Sequence, residues 1–342
     1  MTATPQPRTL MTANPQPRTL MTAPVVDVLI TADHAERALR RDAHLGLTSA
    51  PRWLPPKWFY DARGSELFEQ ITRLPEYYPT RTEKSILAAH AGDIARHTGA
   101  HTLVELGSGS SEKTRLLLDA LHDAGTLRQY VPLDVSETAL RDAVTAIHGE
   151  YPALSIHGVV ADFTEHLDQI PGQTPRVVAF LGGTIGNLFP DERAAFLAAL
   201  YQTLDHGDWL LLGTDLVKSP DLLVPAYDDA SGVTAQFNRN VLAVLNRELG
   251  ADFDLDDYQH LAVWDPENEW IEMRLRAGAA RVSLPEISLD IVLEAGEEIR
   301  TEISAKFRRE GIESELSAAG FSLDSWWTDP AGLFALSLAK AR

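Results

Sequence analysis

A buried strand, a glycine turn and the start of a helix follow one another in Leu103-Val104-Glu105-Leu106-Gly107-Ser108-Gly109-Ser110-Ser111-Glu112-Lys113-Thr114. No other stretch limits the possible folds as much. Val104 and Leu106 suit the core of a strand, and Gly107 and Gly109 let the backbone pass close to a ligand. A helix expected from Glu112 to Leu121 would offer its free N-terminal amides to the crevice beyond the strand. A doubly wound sheet holds a nucleotide-type cofactor in this way.

Three readings compete for the turn. A phosphate-binding loop fits at Gly107, Lys113 and Thr114, but Glu112 stands where its second glycine belongs, and a carboxylate there repels phosphate. The same Glu112 removes the third glycine of a dinucleotide fingerprint. S-adenosylmethionine carries a sulfonium and an amino-acid head instead of phosphates, so an acid on the strand is welcome. Glu105 fits only this third reading well. Further strand ends repeat the pattern. Tyr130 to Ser136 carries Asp134, placed to accept ribose hydroxyls. Ile156 to Ala161 ends in Asp162 and Phe163, placed for an adenine amino group and ring face. Arg176 to Leu181 ends in Gly182-Gly183-Thr184-Ile185-Gly186-Asn187. Asp134 and Asp162 taken singly would equally suit helix caps; the ordered set favours a cofactor crevice.

At these residues the chain resembles the class I S-adenosylmethionine-dependent methyltransferases. More narrowly, five blocks are similar to the L-histidine Nα-methyltransferases of the ergothioneine pathway: Pro56 to Asp61, Leu74 to Glu83, Phe180 to Asn187, Phe237 to Leu242 and Thr301 to Phe307. The resemblance runs over nearly the whole chain beyond Asp27. It implies a Rossmann-like α/β sheet with an additional α+β substrate-binding domain, and trimethylation of the α-amine of L-histidine to the betaine hercynine. It implies cofactor contacts at Gly107, Ser108, Lys113, Asp134, Asp162 and Phe163. Tyr77, Gly182, Asn187, Tyr227, Met273, Glu302 and Ser304 are implied for substrate, with Tyr60 and Asn187 at the chemistry. Glu302 and Ser304 would hydrogen-bond the imidazole, a carboxylate facing a ring N–H with a hydroxyl beside it. From the residues alone, Glu302 reads instead as one of a charged helix face with Glu297, Glu298 and Arg300. An N-methyltransferase of another amino acid, such as a tryptophan derivative, is the alternative; an acidic Glu302 argues against an indole.

Composition narrows the partners. The 342 residues suffice for one large or two ordinary domains. With 30 basic and 49 acidic residues the net charge is -19, a surface expected to repel nucleic acid and anionic membranes. The absence of cysteine excludes disulfides and thiolate metal sites and permits a reducing cytoplasm, the expected location. The eleven histidines show no H-E-x-x-H spacing, so no metal is expected. No apolar run approaches the roughly 18 residues of a membrane helix. A monomer is expected.

Taken in order, Met1 to Leu10 and Met11 to Leu20 form a near repeat differing at Thr4 and Asn14. It has too few apolar residues to bury itself, and residues 1–26 read as a disordered tail. Thr31 caps an expected helix to Leu47. Pro51 to Thr80 is an aromatic- and proline-rich arm in which a single aromatic is more often core than pocket wall, but the resemblance implies that Tyr77, and less firmly Tyr60, line the substrate site; aromatic faces suit a quaternary ammonium product. Residues 81–217 and 307–342 read as the methyltransferase domain, closed by a hairpin from Phe321 to Ala339. Residues 27–80 and 218–306 read as the substrate-binding domain, with antiparallel strands around His260 to Trp264, Trp270 to Ala277 and Ile287 to Leu293.

Overall fold

A computed structural model describes residues 23–109 and 111–342; most of the expected tail, with its repeat, and Ser110 lie outside the described residues. The chain enters through β1 (Val25–Val28) and α1 (Ala32–Thr48), where the Thr31 hydroxyl accepts the His34 amide as an N-cap. The arm follows as β2 (Arg52–Trp53), a 3-10 turn at Pro56–Phe59, α2 (Ala62–Ile71) and then α3 (Pro79–Thr98). Next comes strand–helix alternation: β3 (Thr102–Leu106), α4 (Arg115–Asp123), β4 (Gln129–Asp134), α5 (Glu137–Glu150) and β5 (Ser155–Val160). It continues through β6 (Arg176–Phe180), α6 (Pro190–Thr203) and β7 (Trp209–Asp215). Two helices, α7 (Pro220–Tyr227) and α8 (Val233–Leu249), precede β8 (Tyr258–Asp265), β9 (Trp270–Ala277), β10 (Ala280–Leu284), β11 (Leu289–Leu293) and β12 (Glu298–Ala305). The chain closes with α9 (Arg309–Ala319), β13 (Phe321–Thr328) and β14 (Phe334–Ala341).

Eight strands form the main sheet in the order β1-β5-β4-β3-β6-β7-β14-β13. The first six run parallel, and β14 turns back antiparallel between β7 and β13, the terminal hairpin expected from the sequence. Both faces are covered, which is why strands such as β3 and β6 are buried at every residue. Leu103, Tyr130 and Leu211 pack under α3, α4 and α5, whereas Val104, Val131 and Leu210 pack under α6 and α9. A second sheet, β2-β12-β9-β8, packs with α1, α2, α7 and α8 around a separate apolar core.

Three expectations are corrected. The tail does not reach residue 26, because Val25–Val28 pairs parallel with β5 and extends the main sheet. The helix after the glycine turn starts at Arg115, not Glu112. Ser111 sits in the left-handed region at φ 52, its hydroxyl bonds Tyr130 at 2.9 Å, and Thr114 is held by Glu105, so the chain turns before it can coil. The acid-rich run from Glu297 is no helix face: Glu298–Ala305 is a strand paired with β9. Its register shifts between Arg300 and Glu302, so Thr301 forms a one-residue bulge. Below the bulge Ile299 stands opposite Leu275; above it Glu302 stands opposite Met273 and Ser304 opposite Ile271. The extra residue turns Glu302 and Ser304 to the side shared by Met273 and Leu275, and sends Ile303 and Ala305 to the other core.

Candidate active site

The carboxyl ends of β3, β4, β5 and β6 lie side by side, and the loops leaving them carry the expected cofactor residues. Gly107 and Gly109 both adopt positive φ, 69 and 48, and a side chain built on either meets only open space. That backbone is a cradle only glycine supplies without strain. Between them the Ser108 hydroxyl is buried and has no hydrogen-bond partner among the described residues. Asp134 accepts the Gly109 amide at 2.8 Å and the Ser136 amide at 2.9 Å, one on each oxygen, leaving lone pairs for hydroxyl donors. Burial lifts its pKa above the ordinary carboxylate range, against those amides. An orphaned hydroxyl, an open glycine cradle and a carboxylate with spare acceptors fit a ribose-bearing cofactor with a cationic head.

Asp162 takes the Thr164 amide and hydroxyl at 2.9 and 2.6 Å, and Lys57 of the arm lies 3.8 Å away. Phe163 packs against Phe180 and Phe196, with ring centroids 5.0 and 5.7 Å apart. Lys113 reaches the buried Glu83 carboxylate, which also receives the Gly182 amide. Glu105 behaves differently from its sequence reading. Thr114 and Tyr130 hydroxyls donate to its two oxygens, so its carboxylate is spent inside the fold. Burial pushes it up to about 7, partly offset by those bonds.

The residues expected to hold the acceptor converge on the bulged strand. Asn187 donates to the Ile303 carbonyl at 2.7 Å, tying the loop after β6 to β12. Tyr227 and Ser304 share a 2.7 Å hydrogen bond, and Tyr60, Tyr77, Tyr227 and Met273 belong to one apolar core. Tyr77 and Tyr227 meet edge to face at 6.5 Å, and Tyr60 packs on Phe237 at 5.5 Å. Burial, then the Glu302 charge, drives the Tyr60 phenol far above its usual range; burial followed by Tyr227 does the same for Tyr77. Both stay protonated at neutral pH. Glu302 is pushed up to about 7 by burial, against the pull of Lys306 and the Asn187 amide.

Several residues in contact with these carry no role in the sequence reading. Asp215, at the end of β7, accepts from Tyr78 at 2.8 Å and from Lys218 at 2.5 Å, and pairs with Lys306 at 3.0 Å. Glu83 is fully buried between Lys113 and Gly182. Lys306 and Glu83 sit inside blocks of family resemblance, and Asp215 ends an apolar strand; those were the available signals.

A six-strand parallel array closed by an antiparallel hairpin, with glycine and acid at successive strand ends, defines a class I methyltransferase using S-adenosylmethionine. Residues 39–341 match the family of histidine-specific, S-adenosylmethionine-dependent methyltransferases, and the chain belongs to it. The histidine N-alpha-methyltransferase of Mycolicibacterium smegmatis is 59% identical over 311 residues, covering 91% of this chain and 97% of that protein. Its namesake in Mycobacterium tuberculosis is 57% identical over 308 residues, covering 90% and 96%. Ergothioneine biosynthesis protein 1 of Neurospora crassa is 30% identical over 285 residues, 81% of this chain but 32% of that longer protein.

Proposed function

We propose that this protein trimethylates the α-amine of L-histidine to hercynine for ergothioneine biosynthesis, working as a cytoplasmic monomer. The observation carrying this reading is the bond from Asn187 to the Ile303 carbonyl. It joins the cofactor edge to the strand that presents Glu302 and Ser304. Residues 27–80 and 218–306 then serve as the substrate-binding unit, and 81–217 with 307–342 as the methyltransferase unit. Among the described residues no helix is long and apolar enough to cross a membrane.

S-adenosylmethionine supplies a methyl group on a sulfonium carbon, so the chain's task is alignment of a neutral amine. Gly107, Ser108, Lys113, Asp134, Asp162 and Phe163 would hold that cofactor. Glu302 and Ser304 grip the imidazole, Met273 lines its apolar side, and Gly182 and Asn187 orient the α-amino and carboxylate groups. Tyr77 and Tyr227 wall the pocket, and their π faces favour the growing positive charge. Tyr60, held neutral, orients the amine or a water beside it by hydrogen bonding and takes no proton as a phenolate.

Mass spectrometry of products from S-adenosylmethionine with histidine, tryptophan and a mixed amino-acid pool tests the reading. Trimethylated histidine alone is expected. Methylated tryptophan, or no methylated histidine despite cofactor binding, overturns the acceptor assignment.

A further inference from the structure

Lys306 follows directly on β12, and its ammonium is fully buried. It donates to Tyr227 Oη at 2.8 Å and to Ser304 Oγ at 2.8 Å, and pairs with Asp215 at 3.0 Å. An ammonium has three N–H donors and no acceptor, so these partners consume all of them. Tyr227 and Ser304 are also bonded to each other at 2.7 Å. Each hydroxyl therefore spends one lone pair on Lys306, and their mutual bond uses one of their two protons. The remaining proton has no acceptor within this triangle. The phenol, being the stronger acid, is the better donor to its neighbour, which leaves the Ser304 proton to point out of the triangle toward the pocket. Two residues before Ser304, on the same side of the strand, Glu302 offers an acceptor.

We propose that Lys306 is a positioning residue that fixes Ser304 as a hydrogen-bond donor, so that the pocket selects the neutral imidazole of the acceptor. The inference rests on Glu302 and Ser304 being the ring contacts. A neutral ring has one N–H for Glu302 and one bare nitrogen for Ser304. An imidazolium has two N–H groups and no bare nitrogen, so its second N–H would meet the Ser304 proton. The charges around the pocket are mixed. Asp215 carries one negative charge against the two ammonium groups of Lys218 and Lys306. Tyr78, Tyr60 and Tyr77 surround this cluster as neutral phenols. Glu302, and Asp329 acting on Lys218, face these ammonium groups as well, so the charges offset each other and the Ser304 proton decides the ring state.

Histidine labelled with 15N in the ring, bound to protein loaded with S-adenosylhomocysteine, which has no methyl to transfer, reports the ring state directly. One N–H and one bare nitrogen give separate signals, and an imidazolium gives two alike. A titration of the wild-type complex is expected to keep the neutral pattern at least about one unit below the free-ring value near 6.5, a tenfold preference. Lys306→Met removes the donor that sets the polarity; its bound ring is expected to become cationic at higher pH than in wild type, with cofactor affinity unchanged. Asp215 keeps Tyr78 and Lys218 in that variant. Ser304→Ala leaves the Lys306–Asp215 pair in place and is expected to erase the same preference, which serves if Lys306→Met does not fold. An imidazolium pattern in wild type, or an unshifted titration in whichever of the two variants folds, overturns the proposal. If wild type fails to bind histidine, or Glu302→Ala binds it equally well, the underlying contact reading fails instead.

Discussion

Glu83 and Gly182 stand 99 residues apart, and the Gly182 amide donates to both oxygens of the Glu83 carboxylate, at 2.8 and 3.0 Å. The same carboxylate holds Lys113. One buried acid thus fixes the end of β6, α3 and the segment leading into α4 against each other. Removing one partner of a buried pair leaves the other charge uncompensated and costs about 3–5 kcal/mol. Glu83→Ala is expected to lose about 3 kcal/mol in urea unfolding, at the lower end because Lys113 is 21% exposed, and to bind S-adenosylmethionine more weakly. Glu83→Gln, which can still accept the Gly182 amide, should fall between. Wild-type stability in the alanine variant would remove this role.

Ser108 should separate stability from binding. Its buried hydroxyl has no partner among the described residues, a situation that costs about 1–3 kcal/mol. Ser108→Ala is expected to stabilise the cofactor-free protein by about 1 kcal/mol while weakening cofactor binding about fivefold. Calorimetry of both properties checks the opposite signs. A change of the same sign in both would mean that the hydroxyl does not serve the cofactor.

Glu105 makes a prediction about pH. Burial lifts it from 4.5 to about 7, despite the bonds from Thr114 and Tyr130. The folded chain therefore holds this proton more tightly than the unfolded chain. The group's contribution to stability is complete below about 4.5 and is lost as pH rises through about 7. Glu105→Gln cannot titrate. Its stability relative to wild type should rise between those pH values and level off above them, by at most about 3.5 kcal/mol at about 1.4 kcal/mol per unit. Melting curves across that range showing a constant difference would contradict the assignment.

Gly186 tests the junction between the two sheets. A Cβ there would lie 2.8 Å from the Ala305 carbonyl oxygen and 3.1 Å from its amide nitrogen. Backbone cannot yield as a flexible side chain does, so Gly186→Ala must push the turn bearing Asn187 away from β12. Histidine affinity is expected to fall at least about tenfold, with cofactor affinity nearly kept. Paired titrations decide it; equal losses for both ligands would place the damage elsewhere.

The strand ends were legible because each combines an apolar run with glycine or acid just beyond it, a local pattern. Thr31 as a cap and the terminal hairpin were legible for the same reason. What could not be read was long-range or depended on register. Nothing near Glu105 in the chain announces that Thr114 and Tyr130 will take its oxygens. Asp215, Lys218 and Lys306 meet only when β7 and β12 are brought together. The acids from Glu297 resemble a solvated helix face because the Thr301 bulge breaks the strict alternation by which a strand is recognised.

That bulge has a consequence for how acceptor choice could change in descent. Side-chain direction along a strand is a matter of parity, and Thr301 is the odd residue that sets it for Glu302 and Ser304. Were Thr301 drawn into regular pairing opposite Met273, the register above it would move by one residue and Ile303 and Ala305 would face the pocket in their place. Every residue of the motif would survive, and the grip proposed for the imidazole would be gone.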